Sequence, residues 1–299
     1  MDIHWQYAVD EVEAVFEPTP DWHSELIQLD AGSLGYRASE VVFPGVAVRY
    51  ETMAKPLRSF QQMKKKGFFA GFVLAASRPV LWKGREVAGD FALVFGDADH
   101  DLVFPAQTVV LTIEVDSQPA QAAGLTGLEP GLWQCDPTEI HAFVDLCNVL
   151  TRRQMRMSLG QSEQQNACAL VVSRFLAMLI HPTQTQPSRQ YRIMSKAEEF
   201  AAHLGWCENV AIDNLADAID VPRRTLHRSF KELYGMGPQG YLRLVRLHIF
   251  REALLTGDHT GIADAALSAG FQHFGRAAQY YHKQFGELPK HTLRRSLGS

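Results

Sequence analysis

The C-terminal third of the chain contains the same short helical pattern twice. In the second copy, residues 262–286 read IADAALSAGFQHFGRAAQYYHKQFG, in which small alanines allow close helix packing and Gly270 supplies the left-handed backbone of a tight turn. A second helix is predicted after this turn, with an apolar face at helical spacing. The residues of that face are Phe274, Ala277, Ala278, Tyr281 and Phe285. Two such helices form a helix-turn-helix unit, whose second helix enters the major groove of DNA.

The first copy lies in residues 212–233, which read IDNLADAIDVPRRTLHRSFKEL. Three of its positions correspond to positions of the second copy at an offset of 50 residues. Ala216, Asp220 and Val221 are equivalent to Ala266, Gly270 and Phe271. Asp is among the few residues besides Gly that tolerate left-handed backbone, so the turn is preserved at Asp220. Pro222 is expected to start the recognition helix. Its predicted DNA-facing side chains are Arg223, Arg224, His227, Arg228 and Lys231.

A long helix is predicted between the two units, from Gly237 to Leu255. At about 1.5 Å per residue such a helix is a rigid spacer. It can hold the two recognition helices about 34 Å apart, so that they enter two successive major grooves of double-stranded DNA.

The charge is divided unevenly along the chain. The formal net charge is −4, but from residue 191 onward there are 14 Lys and Arg against 11 Asp and Glu, compared with 15 against 22 before it. The basic excess therefore lies at the DNA-binding end, although it is small. The four cysteines form no CxxC pair, and no signal peptide or membrane span is predicted. We therefore expect reduced thiols and a cytoplasmic protein.

The N-terminal half reads as short strands punctuated by Gly and Pro, which predicts an antiparallel β-barrel or jelly roll of cupin-like form. The predicted strands are 26–29, 40–43, 46–50, 68–75, 91–95 and 109–115. Lys83 and Gly84 fit a two-residue hairpin turn, whereas residues 57–66 are compatible with either a helix or a polar loop. The predicted fold is thus α+β, with an N-terminal domain at 1–182, a linker at 183–190 and an all-α DNA-binding domain at 191–299.

Two amphipathic helices are predicted at about 137–181, at the end of the N-terminal domain. Their apolar stripes could cover the sheet or pair with a second subunit, and both interpretations stay open. The candidate dimer residues are Ile140, Phe143, Cys147, Leu150, Val171, Phe175 and Met178.

Aromatic residues concentrate in the N-terminal half, where they either line a ligand pocket or form ordinary core. The sequence does not identify the residues of an effector pocket. A metalloenzyme would need convergent ligands, but the histidines are widely separated and no nucleophile or phosphate-loop motif occurs. These histidines are His4, His23, His100 and His141. We therefore expect no catalytic residues, metal or cofactor, and no enzyme.

The C-terminal sequence resembles one family closely. The two units, the RTLHRSFKELYG run, the RLxxxREALL helix and the GF-x(9)-Y-x(3)-FG-x(2)-P pattern are similar to the AraC family of bacterial transcription regulators. The resemblance covers about residues 191–295, and within the family it is greatest to the branch of ethanolamine-utilisation regulators. It departs from the family pattern at Pro222, Gly275, Ala277 and His282.

The resemblance implies an N-terminal barrel domain that dimerises and senses an effector, joined to a DNA-binding domain with two helix-turn-helix units. Such regulators usually activate a neighbouring operon. Implied partners are promoter DNA, a second copy of the chain, a small-molecule effector and RNA polymerase. The alternative is an N-terminal domain that binds no ligand and serves as a dimerisation or protein-interaction module. By position, base-facing residues would be Arg224, His227 and Arg228, then Phe274, Gly275, Arg276 and Gln279, with Lys231 on phosphate.

Overall fold

The computed structural model describes residues 4–11, 15, 22–63, 67–87, 89, 91–94, 99–151, 160–183, 186–206, 210–257, 259 and 261–297. The chain forms two compact units. One comprises Met1–Leu26 and Leu34–Gln186, and the other comprises Ile27–Ser33 and Pro187–Ser299. Among the described residues, no helix has the length and apolar composition needed to cross a bilayer.

The N-terminal unit contains two antiparallel sheets. Within the described residues, the strand order is β1-β3-β4-β11-β6-β9-β12-β13 in one sheet and β2-β5-β10-β7-β8 in the other. The strands are β1 His4–Val9, β2 Trp22–Gln28, β3 Tyr36–Phe43, β4 Val46–Met53, β5 Leu57–Met63, β6 Gly67–Ala75, β7 Val80–Trp82, β8 Arg85–Val87, β9 Phe91–Val94, β10 His100–Phe104, β11 Thr108–Asp116, β12 Gly131–Cys135 and β13 Leu179–Pro182.

The larger sheet is buried on both faces, because its side chains alternate between two cores. On β11, Leu111 and Ile113 join a core shared with helices, whereas Val110 joins a second core that includes residues of the smaller sheet. The same alternation separates Phe68 from Phe69 on β6. The second core is the space in which a ligand could be enclosed.

Helices cover one face of the larger sheet: α1 Ser117–Ala122, α2 Pro137–Thr151 and α3 Gln161–Met178. Asp136 caps α2, since its Oδ1 accepts the backbone N–H of Thr138 at 2.8 Å. Phe143 and Phe175 pack against each other and against Phe72 of the sheet, with ring centroids 5.5–6.2 Å apart.

The position of these helices corrects the dimer prediction. All seven candidate residues lie in the core of their own chain, none more than 7% exposed. These residues are Ile140, Phe143, Cys147, Leu150, Val171, Phe175 and Met178. The core interpretation therefore holds for all of them, and none is left for a second subunit to contact.

The six predicted strands all overlap observed strands, and the predicted hairpin turn is present, whereas the strand at residues 57–63 was missed. Lys83 and Gly84 form the two-residue turn between β7 and β8, both with positive φ, and Trp82 pairs with Arg85. Residues 57–63 form a strand, so both the helix and the loop interpretations of 57–66 were wrong; residues 64–66 lie outside the described residues. Four of the seven residues of β5 are polar, and the pairing of this strand with β10 outweighs that polarity.

The C-terminal unit is helical. Its helices are α4 Arg189–His203, α5 Ile212–Ala218, α6 Arg223–Tyr234, α7 Pro238–Thr256, α8 Ile262–Ser268, α9 Phe274–Phe285 and α10 Pro289–Leu297. Pro222 occupies the N-cap position of α6 instead of its first helical residue, a small correction to the prediction. The predicted α+β fold, with N-terminal antiparallel sheets and C-terminal helix-turn-helix helices, is confirmed.

Helix α7 packs against both helix-turn-helix units. Near its start, Tyr241 stacks on Tyr234 of the first unit at 4.2 Å and also contacts Phe230. Near its end, Phe250 packs on Phe271 and Tyr281 of the second unit. The 19-residue helix is about 28 Å long, and it forms the common core of the two units.

The predicted tight turns are present in both units. Asp220 has a φ of 53° and Gly270 a φ of 84°, so Asp220 adopts the left-handed conformation expected from the repeat. The two positions differ in their surroundings. A Cβ at Gly270 would lie 2.3 Å from the carbonyl oxygen of Trp206, which is backbone and cannot move aside easily.

We expect Gly270→Ala to destabilise the protein by at least about 2 kcal/mol, because it combines left-handed strain with a backbone clash. Gly235→Ala is the matched control: Gly235 also has a positive φ of 73°, but nothing lies within 4 Å of an added Cβ. It should cost about 1 kcal/mol. Chemical denaturation measures both values, and equal losses would show that the contact with Trp206 is unimportant.

Candidate DNA-binding surface and an internal cavity

The first recognition helix, α6, has one buried and one charged face. Leu226 and Phe230 are fully buried, which fixes the orientation of the helix. The five side chains predicted to face DNA are all exposed: Arg223, Arg224, His227, Arg228 and Lys231. The structure thus places the predicted set of the first unit on one accessible helix.

These exposed cations differ in what they already bind. Arg223 forms an ion pair with Asp213 of α5 at 3.1 Å, and Arg228 lies 3.7 Å from Glu232 one turn along α6. Within the described residues, no such carboxylate partner is found for Arg224 or Lys231. Exposed ion pairs are weak, so an approaching phosphate or base can compete for Arg223 and Arg228 as well.

The second recognition helix, α9, presents a less charged surface. Its exposed residues include the predicted set of Phe274, Gly275, Arg276 and Gln279. Phe274 was also predicted to belong to the buried stripe, and that assignment was wrong: its side chain is 45% exposed. The buried residues of α9 are Ala277, Tyr281 and Gln284, and Phe285 packs against the same core. A Cβ at Gly275 would meet nothing within 4 Å, so this position leaves open space on the surface.

A buried polar cluster anchors the end of α9 to α7 and α10. Arg251 of α7, 3% exposed, donates to Tyr281 Oη at 3.1 Å and to Glu287 Oε1 at 2.8 Å. Thr292 donates to Glu287 at 2.8 Å, and Arg295 pairs with the same carboxylate. Burial raises the pKa of Tyr281 to about 12, so the phenol stays neutral.

The N-terminal unit contains a cavity of about 50 Å³ in the second core. Apolar side chains form most of its wall, including Leu57, Phe69 and Leu102. Arg49 and Glu51 line it as well and are only 7% exposed. Sequence reasoning missed this site. The strand predicted at 46–50 contains Arg49 but ends before Glu51, and the available signal was that both charged residues follow apolar neighbours along β4.

Arg49 is held between two carboxylates. Its guanidinium donates to Glu40 Oε1 from Nε at 3.0 Å and from Nη2 at 2.6 Å. Glu40 lies directly opposite Arg49 in the register of β3 and β4. Arg49 Nη1 lies 3.8 Å from Glu51, whose Oε1 accepts the Tyr36 hydroxyl at 2.5 Å. Although burial opposes ionisation, the two carboxylates raise the pKa of Arg49 above its ordinary value, so the guanidinium stays charged.

The C-terminal unit contains two helix-turn-helix units that pack on one shared helix, α7. This arrangement is typical of a DNA-binding domain with two recognition helices. A helix-turn-helix domain family matches residues 215–295. The transcriptional activator RhaS of Pectobacterium carotovorum is 31% identical over 172 residues, covering 56% of this chain and 59% of RhaS. The XylDLEGF operon transcriptional activator of Pseudomonas putida is 27% identical over 164 residues, covering 52% and 49%.

This chain therefore spans about half to three fifths of the curated relatives it matches. Among solved structures, the AraC-like transcriptional activator CuxR is similar over 90% of this chain and all of that chain, at 9% identity and a TM-score of 0.48. The matched helix-turn-helix domain and the activators related to it support the predicted AraC family for this chain.

We expect Glu287→Gln to lower stability by about 1 to 3 kcal/mol at pH 7, because it removes the anion that faces buried Arg251. The pKa of Glu287 is lowered: burial opposes the shift, but the hydrogen bonds from Thr292, Arg295 and Arg251 outweigh it. The stabilisation is therefore complete above the ordinary carboxyl pKa of 4.5 and is lost as the pH falls through the lower folded value.

Chemical denaturation of wild type and variant between pH 7 and pH 3 measures this difference. Glu199→Gln, an exposed change on α4 that removes the same charge, should alter stability by no more than about 0.5 kcal/mol. A Glu287→Gln effect as small as that of Glu199→Gln, or one that grows in acid, would contradict the role given to this cluster.

Proposed function

We propose that the protein is a sequence-specific DNA-binding transcription regulator, and that it acts as an activator. The observation that carries this proposal is the exposure of predicted DNA-facing residues on both recognition helices of one domain. The description of its matched relatives as transcriptional activators supports it. Double-stranded DNA is the proposed partner, with the two helices in successive major grooves.

The two helices have different chemistry and so different proposed tasks. Arg224 and Arg228 can pair bidentately with guanine, and Lys231 suits phosphate. On α9, Arg276 and Gln279 can read guanine and adenine, while exposed Phe274 can contact a thymine methyl group. The first unit would therefore supply more of the affinity, and the second would select among sites.

We further propose that the N-terminal unit senses a small effector. The cavity between its sheets favours this proposal over the alternative of a ligand-free interaction module. The effector would act by binding one arrangement of the DNA-binding units more tightly than another, since only differential affinity shifts such an equilibrium. On the basis of the sequence, we also propose that the protein is a cytoplasmic homodimer that contacts RNA polymerase and belongs to the ethanolamine-utilisation branch of the family.

The seven buried residues cannot form a dimer contact, so the proposed homodimer would use other surfaces. On the outer faces of α2 and α3, Val149 and Leu170 are 37% and 43% exposed. Analytical ultracentrifugation of the purified protein tests the oligomeric state, and a monomer at micromolar concentration would contradict a stable dimer.

We expect Arg228→Ala to weaken binding to a selected DNA site by about 1 to 3 kcal/mol and to relax preference at one base pair. Arg192→Ala is the charge-matched control, because Arg192 is exposed on α4 and outside both recognition helices. Binding is measured by fluorescence anisotropy on selected and random DNA at fixed salt. Equal losses of affinity on both DNAs would show that Arg228 contacts the DNA phosphate backbone and not a base. A wild-type protein without any sequence preference would refute the proposed function.

A further inference from the structure

A short segment from the N-terminal half of the chain folds together with the C-terminal helices. Residues Ile27–Ser33 belong to the same compact unit as Pro187–Ser299. The chain on both sides of this segment forms strands of the N-terminal unit, since β2 ends at Gln28 and β3 begins at Tyr36. The segment is therefore far in sequence from the helices against which it packs, and we refer to it as segment 27–33.

The backbone of Gln28 joins the two helices that hold the second helix-turn-helix unit. Its N–H donates to His248 Nε2 of α7 at 3.1 Å, and its C=O accepts the side-chain amide of Gln284 of α9 at 3.0 Å. The ring of His248 also packs edge-on against Phe285 of α9, with the ring centroids 5.2 Å apart. Burial lowers the pKa of His248 to about 4, so the ring is neutral at pH 7 and its Nε2 can accept this N–H.

Two buried glutamine side chains hold segment 27–33 as a closed turn on α9. The Gln28 side chain donates to the carbonyl oxygen of Asp30, at 2.7 Å, and to that of Gly32, which fixes the shape of the turn. Gln284 donates to the same Asp30 oxygen at 3.2 Å, and its backbone oxygen accepts the N–H of Gly32 at 3.0 Å. Glutamine is seldom buried, yet Gln28 and Gln284 are only 2% and 6% exposed. Their hydrogen bonds offset the loss of contact with water.

These contacts are made at the end of α9 opposite to its predicted DNA-facing residues. Gln284 lies in the last turn of the helix, whereas the predicted DNA-facing residues lie between Phe274 and Gln279 in the first two turns. Ile27 adds an apolar contact, since it packs against the core that α7, α8 and α9 share. Because a helix is stiff along its axis, the position of its last turn sets the position of its first turn.

We infer that Gln28 is a positioning residue for the second recognition helix, so that the DNA-binding domain is discontinuous in sequence. Segment 27–33 holds the last turn of α9 against α7, and the DNA-facing side chains of α9 therefore enter their groove in one fixed orientation. Gln28 acts through Gln284 and His248. Its role in DNA recognition rests on the proposed function, whereas the attachment of segment 27–33 to α9 does not.

Amide hydrogen exchange of the full chain, measured by mass spectrometry, tests the attachment without DNA. In Gln28→Ala, peptides from residues 274–285 should exchange at least about fivefold faster than in wild type, because the last turn of α9 loses its support. Peptides from α6 should exchange at the wild-type rate. Gln118→Ala is the matched control, since Gln118 is exposed on α1, and it should leave α9 unchanged. Unchanged exchange of α9 in Gln28→Ala, or an equal increase in α6, would overturn the inference.

Fluorescence anisotropy at fixed salt tests the role in DNA recognition with three duplexes. They are a selected site and two versions of it, each with one half-site destroyed; the half-site of α6 is the one where Arg228→Ala relaxes the base preference. Gln28→Ala should weaken binding to the selected site by about five- to tenfold. This loss should persist without the half-site of α6 but fall below about twofold without the half-site of α9. Equal losses on all three duplexes would indicate a general stabilising role and overturn the positioning role.

Gln284→Ala removes the same attachment from the side of α9 and keeps the test valid if Gln28→Ala fails to fold. It should show the same dependence on the half-site of α9. The double variant should bind less than about twofold more weakly than the weaker single variant, because both changes break one contact, and additive losses would contradict this. A wild-type protein without sequence preference refutes the proposed function, and hydrogen exchange then still decides whether segment 27–33 holds α9.

Discussion

Helix α7 is the constraint on which the DNA-binding unit depends. Its side chains enter the cores of both helix-turn-helix units, through Tyr241 at one end and Phe250 at the other. Tyr241 also donates to Glu198 of α4 at 2.6 Å, and Arg251 forms the cluster that closes α9 and α10. Because a helix is stiff along its axis, packing against α7 fixes each recognition helix relative to the same rod.

The N-terminal unit solves a different packing problem. A sheet buried on both faces needs two cores, and the larger sheet has one under α2 and α3 and one shared with the smaller sheet. The first core is aromatic and closely packed around Phe143 and Phe175. The second contains the charged cluster of Arg49 and a cavity. Protein interiors rarely leave such space, so the second core is where a ligand is most readily accommodated.

Sequence patterns predicted the features that local chemistry decides. The left-handed turns at Asp220 and Gly270 and the hairpin turn at Lys83 follow from the few residues that tolerate positive φ. The buried stripe of α6 follows from helical spacing. Phe274 could not be assigned in the same way, because hydrophobicity alone does not decide whether a residue at the start of a helix faces the core or the groove.

Features that depend on distant pairing were harder to predict. Residues 57–63 are polar enough for a loop, yet they form a strand because β10 pairs with them. The apolar stripes of α2 and α3 were equally consistent with a sheet or a second subunit beneath them. The cavity depends on Arg49, Glu51 and Ser59 from different strands meeting in one space, which no single stretch of sequence reveals.

We propose that α7 holds the two recognition helices rigidly, so that they bind two adjacent major grooves of DNA together. The most direct measurement is the affinity of the full chain for a selected site with and without five base pairs inserted between its two half-sites. The insertion turns one half-site to the opposite face of the duplex, so we predict that it weakens binding as much as destroying that half-site. Unchanged affinity after the insertion would contradict the claim.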